Sequence, residues 1–138
     1  PRETAPIWLR VTCWVAAMGG LVTLMLFAPA ALFGSFDLAF DDYGSGARPA
    51  FMFFMSISGF VAGVVHIHVA RRTLRHEHVG DSAFMFLYAH HACVAGVLAL
   101  VGALSLPAVV VCSALCVAVI AMDVAAPVPM GVQPQRMS

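Results

Sequence analysis

Residues 51–70 read FMFFMSISGFVAGVVHIHVA, twenty positions without a single Asp, Glu, Lys or Arg, and Arg71 and Arg72 follow at once. An α-helix rises about 1.5 Å per residue, so a run of this length covers the ~30 Å hydrocarbon core of a bilayer. Three more stretches have the same character: residues 11–33, 83–104 and 107–126, of which only the last holds a charged group, Asp123. The fold class expected is therefore all-α, an integral membrane bundle of four transmembrane helices in up-and-down order. It forms one domain over residues 1–126, and residues 127–138 form an extended tail.

Composition supports that class. Hydrophobic residues make up 62% of the 138 positions and charged residues 10%, against roughly 25% in an ordinary soluble domain, and mean hydropathy is +0.93. Lysine is absent and the formal net charge is zero. No basic run is long enough to track a phosphate backbone, which argues against nucleic acid as a partner. The chain opens on Pro1 rather than Met, as expected of a trimmed precursor, a removed initiator or a partial chain.

Arginine placement sets the expected orientation. In a four-span up-and-down chain, Arg2, Arg10, Arg71, Arg72, Arg75 and Arg136 share one side, and only Arg48 falls on the other. Positive residues near spans stay on the side from which the chain inserts, so both termini and the second loop are expected on the cytoplasmic, stromal or matrix side. Trp8 and Trp14 flank the entry to the first helix, where indole rings suit the headgroup region.

The connections differ in length. Ser105, Leu106 and Pro107 leave almost nothing between the third and fourth spans, so these should form an antiparallel hairpin with Pro107 in a first helical turn. Residues 34–50 contain Asp37, Asp41, Asp42, Gly44, Gly46 and Pro49 and read as a long acidic loop. A short echo links AFMF at 50–53 with AFMF at 83–86, and VAGV at 61–64 with VAGV at 94–97. Without extension into the other helices, coincidence within a restricted apolar alphabet explains it better than an inverted repeat does.

Gly59 and Gly63 form a small-xxx-small pair that permits close helix packing, within the chain or against another subunit. Phe51, Phe53, Phe54 and Phe60 surround the same helix with rings suited to lipid, pigment or partner contacts. Arg71, Arg72 and Arg75, with His76 and His78, form a polar interfacial cluster expected to meet lipid headgroups or a partner.

All six histidines lie toward one membrane face. His66 is about 6 Å inside its expected helix end and His90 about 10 Å inside its own, so the two can approach a common depth on antiparallel neighbours. Ionisable groups inside a membrane are functional candidates. His66, His90 and His91 are therefore the candidate cofactor-binding residues, for chlorophyll magnesium or for a b-type haem clamped by His66 and His90. Interhelical hydrogen bonding and proton or substrate handling are the other expectations for these three. Within each pair, His66 with His68 or His90 with His91, neighbouring positions face different ways and would not chelate one ion. The groups HIH, HEH and HH fall short of the histidine boxes of membrane di-iron oxygenases. Cys13, Cys93, Cys112 and Cys116 all lie in spans and read as small apolar residues. Asp123 is placed to meet Arg10, a histidine or the interface. No catalytic or metal-binding motif appears, so an enzyme is not expected.

LFAPAALFG at residues 26–34, a variable loop, a Gly-containing second helix ending HVARR at 68–72, and a third helix carrying His90 and Gly96 together resemble small DoxX-like four-helix membrane proteins. The resemblance implies a bundle of about this size and brings no catalytic residues. The function expected is an accessory subunit of a multi-subunit energy-transducing membrane complex, a photosystem with antenna ahead of a respiratory complex. Its partners would be membrane subunits and lipids, with chlorophyll, carotenoid or lipid contacts, in a thylakoid or mitochondrial inner membrane. A haem-binding anchor and a small transporter or channel are the alternatives.

Overall fold

The computed structural model describes residues 5–40, 47–101 and 106–126, and among these every regular element is helical. The helices are α1 (Ile7–Phe40), α2 (Ala47–Leu74), α3 (Asp81–Val101) and α4 (Leu106–Ala125). Three contain stretches long and apolar enough to cross a membrane, Ile7–Leu32, Phe53–Leu74 and Asp81–Leu100, and Val109–Ala125 is a shorter apolar segment.

The long acidic loop expected over residues 34–50 is largely helix. α1 runs on to Phe40 and α2 already begins at Ala47, so only residues 41–46 separate them, and these lie outside the described residues. An established helix adds a hydrogen bond with each further residue, which carries it through Gly34 and Asp37. Pro49, read as a turn residue, is the third residue of α2, where a missing N–H leaves no intrahelical bond unmade. Pro107 is likewise the second residue of α4. Pro29 lies inside α1, where its ring forgoes the bond to the Met25 carbonyl, yet the helix continues on both sides. The expected tail, 127–138, falls outside the described residues.

Neighbour relations follow chain order: α1 packs on α2, α2 on α3, α3 on α4 and α4 on α1, with α2 and α4 also meeting across the bundle. The α1–α2 seam is the most extensive. Cys13 and Ala70 share one groove, Gly20 lies against Gly63, and Phe27 lies against Gly59, a descending register that makes the two helices antiparallel.

Glycine decides how close that seam becomes. A Cβ on Gly63 would stand 2.7 Å from the Gly20 carbonyl oxygen and 2.9 Å from the Leu24 backbone nitrogen, and a Cβ on Gly20 would stand 2.8 Å from the Gly63 oxygen. Backbone therefore touches backbone, the contact that small residues permit where no hydrophobic drive pulls helices together. Gly59 and Gly63 thus face α1 of their own chain.

The buried apolar core gathers at one end. Leu9, Cys13 and Ala16 of α1, Val69 and Ala70 of α2, Phe84 and Leu87 of α3, and Ala118, Val119 and Met122 of α4 meet there, with Val79 of the connecting segment. That segment is shaped by a helix cap: His76 takes the left-handed conformation (φ 53°), its N–H bonds to the Thr73 carbonyl, and the Glu77 N–H bonds to the Arg72 carbonyl. This pair of reversed bonds is the Schellman arrangement. Toward the other end the bundle opens. No residue of α3 from Ala92 to Leu100 is buried, Leu100 is 89% exposed, and a Cβ on Gly96 would meet nothing within 4 Å.

Candidate functional site

The sequence places histidine in the middle of two apolar helices, and packing brings three of the rings together where the closed end of the bundle gives way to the open end. His66 is 1% exposed and His90 8% exposed, and His91 is half-buried. The His66–His91 ring centroids are 5.1 Å apart and the His90–His91 centroids 5.7 Å.

Hydrogen bonding orders the cluster. His66 Nδ1–H donates to the Ala62 carbonyl at 2.7 Å, one turn back on α2. With the imidazoles neutral, that leaves His66 Nε2 bare, and it accepts from His91 Nε2–H at 3.1 Å. The His91 proton is fixed on Nε2 by the same relation. His90 turns elsewhere: its Nδ1 is 2.8 Å from Ser58 Oγ, and its ring stacks on Phe86 at 6.1 Å with a 17° interplanar angle. Ser58 and His66 are eight residues, about 12 Å, apart along α2. Two consecutive histidines of α3 therefore reach opposite ways along α2 and serve different partners.

Equal depth on antiparallel neighbours pairs His66 with His90, whereas the direct partner of His66 is His91. The difference is rotational: one position along a helix turns a side chain by about 100°, and depth alone does not choose between positions 90 and 91. A haem clamped by His66 and His90 would require His66 Nε2 to give up His91. The 3.1 Å His66–His91 separation is met by a single N–H···N hydrogen bond, which uses both facing nitrogens. Among the described residues, no three His, Cys, Asp or Glu side chains form a group that could hold a metal ion.

The remaining candidates fall elsewhere. Tyr88 O–H donates to Asp123 Oδ2 at 2.8 Å, joining α3 to α4, so Asp123 meets a tyrosine that sequence reasoning did not single out. Its signal was available, because Tyr88 is the one phenol within a span and a hydroxyl on an apolar helix seeks a partner. His76 and His78 are exposed in the connecting segment, His78 offering its carbonyl to Arg72 Nη1 at 2.9 Å. Arg72 Nε and Arg75 Nη1 approach Glu77 at 3.5 and 3.9 Å. Thr12 and Thr23 return their hydroxyls to carbonyls one turn back, at Trp8 and Gly19, which satisfies them without a second helix. Comparison with family models, with curated proteins and with solved structures finds no match to this chain.

Proposed function

We propose that this chain is a small accessory subunit of a multi-subunit energy-transducing membrane complex, a photosystem with antenna ahead of a respiratory complex. In this reading all four helices cross the membrane in up-and-down order. Both termini and the segment after α2 lie on the arginine-rich side, and the chain has no reaction of its own.

The observation that supports the reading most is the departure of α3 from its own bundle above the histidines. Over Ala92 to Leu100 this helix presents exposed or half-exposed positions throughout, Cys93 and Gly96 among them. A bundle closed at one end and parted at the other offers a lateral seat for a pigment, a lipid tail or a neighbouring helix. Small residues there permit close approach.

His90 stands at the base of that opening and suits a chlorophyll magnesium. With Ser58 Oγ accepting from Nδ1–H, the His90 Nε2 lone pair is the free one, and metal-bound imidazoles are commonly oriented by a hydrogen bond at their other nitrogen. When bound, the pigment would supply light absorption. His90 would hold it, Ser58 would fix the tautomer, and Phe86 would fix the ring plane. His66 and His91 are engaged with each other and serve as interhelical links in the same reading.

Solubilisation of the native membrane in mild detergent, followed by native electrophoresis and identification of co-migrating chains, tests the assignment. Migration with a multi-subunit assembly is the expected result; migration as a lone chain under conditions that preserve such assemblies rejects it.

A further inference from the structure

We propose that the arginine end of α2 and the adjoining groove on α1 form a binding site for one anionic membrane lipid, independently of which complex the chain joins. Two recesses meet here. One is an apolar groove of about 240 Å³ between α1 and α2, with Cys13, Trp14, Ala17, Ile67, Ala70 and Leu74 along it and Arg71 and Arg75 at its end. The other is a polar cleft of about 230 Å³ formed by His68, Arg71, Arg72, Arg75 and Glu77. Arg71 and Arg75 belong to both, so the apolar groove opens directly onto the basic cleft.

The charges favour an anion. Three arginines face one carboxylate in the cleft, a local balance of +2 (3 − 1). Glu77 is shared between Arg72 and Arg75, and Arg72 also donates to the His78 carbonyl. The Arg71 guanidinium makes no hydrogen bond or ion pair with any described residue, so it is open to take a phosphate or sulfonate in bidentate fashion. The cleft lies where the apolar stretch of α2 ends at Leu74, which is headgroup depth, and basic pockets at the ends of membrane helices bind anionic headgroups.

The groove supplies what a free anion would not use. Ala17 and Ala70 leave a channel between the helices, Leu74 and Ile67 line it, and Trp14, 62% exposed, forms an amphipathic wall of the same groove as Arg71. An acyl chain lying along these residues brings its own headgroup to Arg71 and Arg75. The occupant is thus a lipid with a singly or doubly negative headgroup, held by charge at one end and by shape at the other.

Native mass spectrometry of the full chain released from nanodiscs of phosphatidylcholine, with and without phosphatidylglycerol, provides the test. One phosphatidylglycerol retained per chain in preference to phosphatidylcholine is the expected result. Retention should fall about thirtyfold in Arg71→Gln/Arg75→Gln, from the worth of two arginines near a charged headgroup, and should largely persist in Arg71→Lys/Arg75→Lys. Ala17→Leu fills the groove without touching the charge and should also weaken retention, while soluble glycerol phosphate should not displace the lipid. Equal retention of phosphatidylcholine, indifference to both the Gln pair and Ala17→Leu, or displacement by glycerol phosphate as readily as by phosphatidylglycerol would each overturn the proposal.

Discussion

Replacing Gly63 by Ala tests the packing of α1 on α2 at their closest approach. The added Cβ would lie 2.7 Å from the Gly20 carbonyl oxygen and 2.9 Å from both Leu24 N and Leu24 Cβ, where ordinary contact begins at 3.4 Å. Two of these neighbours are backbone atoms, so no rotamer change relieves the clash and α1 must retreat by about 0.7 Å (3.4 − 2.7). Overpacking of this kind costs about 1–3 kcal/mol. Against it stands the gain of about 0.5–1 kcal/mol for Ala over Gly within a helix. Gly96→Ala supplies the control, because its Cβ enters open space and keeps the propensity gain alone. Subtracting one variant from the other cancels that gain, so Gly63→Ala should be less stable than Gly96→Ala by about 1–3 kcal/mol. Denaturation in mixed detergent micelles, followed through Trp8 and Trp14 fluorescence on α1, measures the difference. Equal stability of the two variants would mean that α1 and α2 do not touch at Gly63, and the fold described here would be wrong at its closest seam.

The histidine pair and the helix cap make further predictions. A double-mutant cycle with His66→Leu and His91→Leu should return a coupling of about 0.6–1.7 kcal/mol in the same unfolding assay, the range found for hydrogen bonds between membrane helices. Additive single effects would show that the two rings do not meet. His76→Gly should raise stability by up to about 1 kcal/mol, since φ 53° carries a steric penalty for any residue with a Cβ, whereas His76→Val should lower it. Stabilisation by Val, with its branched Cβ, would contradict the left-handed cap.

Much of this architecture was legible from residue types. Three uncharged runs and a fourth interrupted only by Asp123 mark four helices, three of them long enough to span, because backbone polar groups in hydrocarbon must bond within their own segment. Pro107 belongs at a helix start because its fixed φ and missing N–H suit only that place within a helix. Residues 34–40 read as a loop for an equally physical reason: Gly34 and Asp37 have low propensity for a helix interior, but a helix that is already wound extends through them.

The site was legible in composition and not in pairing. Histidine within apolar helices announces a polar cluster, yet whether His90 or His91 meets His66 depends on the rotation of α3. That rotation is set by contacts such as Leu87 in the core and Phe86 against His90. The glycines were legible as packing residues. Their partner was not, since the close approach of Gly63 needs a second small residue, Gly20, more than forty positions away. Asp123 illustrates the same limit, because charge points to Arg10, a histidine or the interface while geometry supplies Tyr88.

An absorption spectrum of the chain purified gently from its native membrane, with whatever accompanies it, tests the central assignment most directly. The account predicts chlorophyll bands in company with other membrane subunits, and selective loss of pigment in His90→Leu while helix content is unchanged. A colourless single chain, or a pigment complement indifferent to His90, would contradict it.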